Sequence, residues 1–163
     1  MERVIIEKNV GIHPKYLNVN IKKHILDAIR IDISNKCTKE HGYILEIHAI
    51  EKIVSQYVER ANSEIIFHVT CSADILKPRE GMNIEGKVCM IYKDGIFLTI
   101  MDKQNMLIPK SNLSEFTYND LEKIYEHSTK ADFKIKSGDF INAVITAVGY
   151  KNNKYSCFGT LQV

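Results

Sequence analysis

Two residue types recur together in the second half of the chain, aromatic rings and lysines. Tyr92 and Lys93 adjoin and Phe97 follows; Lys87, Lys103, Lys110, Lys151, Lys154 and Tyr155 share the same half. A flat ring beside an ammonium group can stack on a base while the cation neutralises a phosphate. Lys87 and Phe97 are the centre of this set, because both fall on the polar phase of neighbouring strand patterns. The blander reading of the same residues is a ring that covers an adjoining element and a rim of solvated lysines.

Other chemistry is thinner. Cys37 and His41 are the nearest approach to a thiol–imidazole pair, but they lie in an expected loop, where a packed cysteine beside a solvated histidine is the simpler reading. The four cysteines, Cys37, Cys71, Cys89 and Cys157, form no CxxC pair, so neither a zinc site nor a disulfide framework is expected. His48 and His68 fall on consecutive expected strands near Glu46 and could meet on a divalent ion if in register. Two solvent-facing strand histidines are preferred, because no third ligand is secured, and no metal or cofactor is expected. There is no GxGxxG, Walker loop, HExxH or GxSxG, and no carboxylate pair is marked out as acid and base. A chain without its own active site is the expectation.

The elements that must position these residues follow from periodicity. Arg3 to Val10 reads as a strand, and Gly11-Ile12-His13-Pro14 as a turn. Asn18 or Asn20 caps a helix with Ile21, Ile25, Ala28 and Ile29 on one face, a pattern that fades by Ser34-Asn35-Lys36. Tyr43 to Ile53 alternates, with Tyr43, Leu45, Ile47 and Ala49 on one side. Glu64 to Cys71 alternates likewise, and Gln56 to Ser63 connects the two. Lys77-Pro78-Arg79-Glu80-Gly81 punctuates the chain, giving domains 1–80 and 81–163. Beyond it the pattern is all strand: Ile84 to Ile91 (Ile84, Val88 and Met90 inward), Ile96 to Ile100, Met106 to Ile108, Asp139 to Val148 and Lys154 to Leu161. A helical insert is expected after the third strand, with Thr117 and Asp120 as a capping box and Leu121, Ile124 and Tyr125 as its apolar face. The fold class is α+β: a βαββ domain, then an OB-type barrel.

Composition agrees with two small globular domains. Of 163 residues, 45% are hydrophobic and 26% charged, and the formal net charge is only +2. Bulk charge therefore cannot drive phosphate binding, and any nucleic-acid site is a local patch. No apolar run approaches the ~20 residues needed to span a bilayer, so neither membrane insertion nor Sec-type export is expected.

Gly81-Met82-Asn83-Ile84-Glu85-Gly86-Lys87-Val88, Gly95-Ile96-Phe97-Leu98 and Lys136-Ser137-Gly138-Asp139-Phe140-Ile141 resemble the strands of an S1 RNA-binding domain. Ile12-His13-Pro14, the run Cys37 to Leu45 and Ala73-Asp74-Ile75-Leu76-Lys77-Pro78 resemble the seventh-subunit family of RNA polymerase II, to which the archaeal E-type stalk subunit belongs. The resemblance implies a non-catalytic stalk subunit. Its N-terminal tip, an RNP-like fold, would dock on the polymerase core through Ile12, His13, Pro14 and Tyr16. Its S1 barrel would contact nascent single-stranded RNA, and its partner would be a small helical fourth-subunit-type protein. A cellular copy would be nuclear, a viral one in the host cytoplasm or virion. The Ile-, Lys- and Asn-rich composition and short length suit a copy encoded by a large DNA virus or a protist. Three departures stand out. Asp94 takes the place of an aromatic found in many S1 domains, Pro109 that of a histidine, and Gln56 to Ser63 that of a Gly-rich loop. The alternative is a free-standing S1-type RNA-binding protein.

Overall fold

The computed structural model describes residues 2–33, 36–130 and 132–162. The chain divides into two units, Met1–Lys77 and Pro78–Val163.

In the first unit, β1 (Glu2–Ile12), β2 (Cys37–Thr38), β3 (Gly42–Val58) and β4 (Ile65–Leu76) form an antiparallel sheet in the order β1-β4-β3-β2. Helix α1 (Ile21–Ile33) covers one face. Asn18 Oδ1 accepts from the Asn20 N–H (2.8 Å), and the Asn20 carbonyl accepts the first helical bond from His24 N–H (3.1 Å). Asn18 therefore shapes the turn into the helix through its side chain, and Asn20 through its backbone carbonyl. Its expected end falls partly on 34 and 35, outside the described residues. Ile25, Ile29 and Ile33 bury against Ile6, Val10, Ile47, Phe67 and Val69, each such side chain contributing roughly 1.5–3 kcal/mol.

Strand β3 departs from strict alternation. Its pairing with β4 shifts register between Ile44 and Glu46, Ile47 and Ala49, Ile50 and Lys52, and Ile53 and Ser55. One extra residue per shift turns the inward period from two into three. Ile44, Ile47, Ile50 and Ile53 face the core, while Ala49, expected inward, is exposed. The strand also runs on to Val58, so 56–58, expected as connection, are paired with β4.

In the second unit, β5 (Asn83–Tyr92), β6 (Gly95–Ile100) and β7 (Gln104–Pro109) are followed by three short strands, β8 (Phe116–Asn119), β9 (Ile124–His127) and β10 (Lys134–Ile135). The unit ends with β11 (Phe140–Lys151) and β12 (Lys154–Leu161). Strands β11-β12-β7-β6-β5 close into a barrel around Ile84, Val88, Ile96, Leu98, Met106, Ile108, Ala143 and Ile145. Met90, expected inward, points out: a register shift between Val88 and Met90 inverts its phase.

The insert is not a helix but the small antiparallel sheet β10-β9-β8. Asn119 decides this. Its Oδ1 accepts from the backbone N–H groups of Leu121 (3.1 Å) and Glu122 (3.2 Å), a local bond that competes with helix. Lys123 then takes a left-handed φ of 57° and closes a turn. Leu121, expected on an apolar helix face, is 95% exposed at that turn. Tyr118 pairs with Tyr125 across the hairpin, and the buried Tyr125 hydroxyl donates to the carbonyls of Tyr92 (2.6 Å) and Lys93 (3.0 Å), tying the insert to the barrel.

Two substitutions test this architecture by urea unfolding. A Cβ at Gly159 would meet Met106 Sδ at 2.6 Å and the Val144 carbonyl at 2.7 Å, so Gly159→Ala should lower stability by about 1–3 kcal/mol. Leu121→Ser should change it by less than about 0.5 kcal/mol, whereas a core position on a helix would lose several times that.

Candidate nucleic-acid interface

Closure of the barrel sends Phe97 and Thr99 outward from β6, because Ile96, Leu98 and Ile100 fill the core. The register places Phe97 opposite Met90 on β5 and Leu107 on β7, and Leu107 opposite Phe158 on β12. Met90, Phe97, Leu107 and Phe158 thus form one apolar row across four strands, with Met90 51% and Phe158 44% exposed. Tyr92 meets Phe97 edge-on, with centroids 5.8 Å apart, and its hydroxyl lies 3.3 Å from Met90 Sδ. One rung along, Thr99 pairs with Lys87, and Lys87 with Phe140 on β11. The face therefore offers rings for stacking and a lysine beside them.

The nine residues singled out from sequence do not make a single cluster. Lys87 and Phe97 lie centrally. Tyr92 and Lys93 are at the β5–β6 end of the barrel with Lys110, whose N–H donates to the Asp94 carbonyl (2.8 Å). Lys103 follows β6 at the opposite end. There the Gln104 carboxamide donates to the Tyr155 carbonyl (2.7 Å), and Lys151 pairs with Lys154. Six-residue β6 separates the two ends by roughly 20 Å. Tyr155 shares the inward phase of Cys157 and packs on Tyr150, centroids 4.9 Å apart, so it does not join the Phe97 row. Sequence reasoning missed Met90, Leu107, Phe140 and Phe158. The inward Ile141/Ala143/Ile145 and Cys157/Gly159 patterns could have pointed to Phe140 and Phe158; the bulge hid Met90.

The loop after β1 is also placed. Ile12 pairs with Ile65 and is 4% exposed, so it belongs to the core and not to the loop surface. His13 is exposed; its Nδ1 accepts from the Lys15 N–H (3.1 Å) and caps the 3-10 turn Pro14–Tyr16. Tyr16 is open to solvent beside His24 (4.9 Å), with the Lys15 ammonium 5.0 Å from its ring. Leu17 and Val19, not singled out from sequence, extend this surface, Val19 being 98% exposed.

Comparison with known proteins bears on both units. Residues 7–68 match the SHS2 domain found in the N terminus of Rpb7p, Rpc25p and MJ0397, and residues 77–157 match the S1 RNA binding domain. The DNA-directed RNA polymerase II subunit RPB7 of Glycine max is 23% identical over 163 residues, spanning 98% of this chain and 90% of that protein. The Arabidopsis thaliana DNA-directed RNA polymerase II subunit 7 is 23% identical over 94 residues, 58% of this chain and 53% of that one. Uncharacterized protein 250L of Invertebrate iridescent virus 6 is 25% identical over 161 residues, 99% of this chain and 98% of that protein. The chain belongs to the seventh-subunit family of DNA-directed RNA polymerases. It is an accessory subunit, without an active site of its own.

In this seventh-subunit chain the two histidines weighed as metal ligands do not meet. His68 lies opposite Ser55 and Asn9, and its Nδ1 is 2.6 Å from Asn9 Oδ1. His48, at a β3 bulge, reaches Asp74 instead (Nε2 to Oδ2, 2.7 Å), while Arg3 Nε donates to Asp74 Oδ1 (3.1 Å). Glu46, His48 and Asp74 place ligand atoms within 4.8 Å of one another, but Arg3 already supplies the cation. Its hydrogen bond, and then that of His48, hold the Asp74 carboxyl below its ordinary value. A lowered carboxylate stabilises the fold above the unfolded value of about 3.9 and loses that contribution as pH falls through the folded one. The stability difference between wild type and Asp74→Asn should therefore shrink from about pH 5 to pH 2, followed by urea midpoints; a constant difference would exclude ionic stabilisation.

Proposed function

We propose that this subunit is the stalk component of its polymerase: it docks on the core through the His13–Pro14–Tyr16 loop and contacts emerging single-stranded RNA with the outer face of its barrel. The observation that carries the reading is the row Met90–Phe97–Leu107–Phe158, edged by Tyr92 and Lys87 on a domain that matches the S1 RNA binding family. Rings give sequence-tolerant stacking, and isolated lysines give salt-sensitive phosphate contacts. That combination suits a surface over which a transcript of any sequence passes. A small helical partner of fourth-subunit type completes the stalk. The likeness to the iridescent-virus protein supports a virally encoded copy, acting in the host cytoplasm or virion, over a nuclear one.

In a fluorescence-anisotropy titration with labelled single-stranded RNA, Phe97→Ala should weaken binding by about 1–3 kcal/mol; unchanged affinity would remove the stacking role. A double His13→Ala, Tyr16→Ala variant should lose yield of core subunits in a high-salt, nuclease-treated pull-down. Wild-type chain recovered without polymerase subunits would instead favour a free-standing S1-type protein.

A further inference from the structure

The second unit holds an open cavity of about 340 Å³ between the β8–β10 sheet and strand β11. We propose that it is a second RNA contact, which receives one unstacked nucleobase from the strand that crosses Lys87. The inference rests on the RNA-contacting reading of the barrel and adds a site outside the Phe97 row.

One wall is aromatic and locked. His127 Nδ1 accepts from the backbone N–H groups of Thr129 (3.1 Å) and Lys130 (3.0 Å), so its proton is on Nε2 and donates towards Glu115 (3.3 Å). Fixed at both nitrogens, the ring meets Phe116 edge-on at 5.1 Å, and Phe116 meets Phe133 at 5.5 Å. Such a wall loses little freedom when a flat ligand enters. The opposing wall is Phe140, 66% exposed on β11. A ring so exposed is accessible to whatever enters.

The polar groups suit a base rather than an aliphatic ligand. Asn142 and Gln162 line the cavity, held side by side by the Gln162 N–H to Asn142 carbonyl bond (3.0 Å). Two carboxamides offer both donors and acceptors, as an unpaired base edge requires. Lys130 supplies a cation at the rim, while the Glu115 carboxylate is engaged by His127.

Continuity selects RNA as the occupant. Phe140 also borders a second hollow of about 250 Å³ with Glu85, Lys87, Thr99, Met101 and Asp102, and it pairs directly with Lys87 in the sheet. One ring thus separates the cavity from the lysine of the S1 face. A phosphate held by Lys87 leaves the adjoining base within reach of the cavity, and flanking single-strand bases are read by splaying onto aromatic side chains.

The test uses the full chain and a labelled single-stranded RNA of about 12 nucleotides, together with its 4-thiouridine form for photo-crosslinking. Phe133→Ala and Phe140→Ala should each weaken binding about fivefold or more, and crosslinks should appear at Phe133 or Phe140. Phe140→Leu keeps an apolar side chain without a ring and should be as weak as the alanine variant; wild-type affinity would make Phe140 a packing residue and overturn the proposal. If RNA binding depends on Phe97 but not on Phe133 or Phe140, the cavity site falls and the barrel reading stands. If the wild-type chain binds no RNA, both fall. If the two variants bind RNA normally but lose core subunits on purification, the cavity seats protein and the proposal is overturned.

Discussion

A short parallel pairing, Cys157 with Met106 and Phe158 with Leu107, closes the barrel, and the arrangement of the second unit depends on it. The other barrel strands pair antiparallel and could form an open sheet without it. Closure fixes the inward set, since Met106 and Cys157 must share one narrow core with Ile96, Leu98 and Ile145. Gly159 lies where a Cβ would strike Met106 and the Val144 carbonyl, which lets β12 approach β7. The outward set follows by alternation. Phe158 meets Leu107 only because the barrel is closed, so the apolar row across four strands is a product of the same contact that completes the core.

The first unit solves a different problem. Its sheet is covered by a single helix, and β3 is 17 residues long. A bulge at every third residue adds twist to the strand while keeping an isoleucine inward at each turn of the pattern. The side chains displaced outward include His48, which thereby reaches Asp74 and shares it with Arg3 from β1. The acid is nearly buried, yet both its oxygens are satisfied, which removes the penalty of an unpaired buried charge. The same irregularity that breaks the alternation also ties the third strand to the first across β4.

The legible parts of the sequence were those where one period runs uninterrupted. The helix at Ile25 and Ile29 and the inward Ile96-Leu98-Ile100 follow from spacing alone. The failures share a cause, a local feature that shifts phase without leaving a composition signal. The bulges of β3 and the one before Met90 insert single residues, so Ala49 and Met90 change sides while their neighbours read normally. At Asn119 a side-chain oxygen captures two backbone N–H groups, and an S/T-x-x-D pattern that would cap a helix becomes the approach to a hairpin. Ile12 fails differently: a sequence places it beside His13 and Pro14, but only the register shows that β1 extends through it.

The resemblance to S1 domains places Asp94 where an aromatic is expected, and taken alone that exchange would weaken the proposed stacking surface. The structure shows a ring arriving from another direction. Tyr92 precedes the turn by two residues and packs edge-on against Phe97, its hydroxyl near Met90. Edge-to-face packing fixes the planes of the two rings relative to one another. Tyr92 is itself anchored, because its carbonyl accepts from the buried Tyr125 hydroxyl. The β8–β10 sheet therefore does more than decorate the barrel. Through Tyr125 it holds the turn that carries Tyr92, and Tyr92 in turn holds Phe97. The order of the Phe97 ring thus depends on a hydroxyl in a different sheet of the same unit.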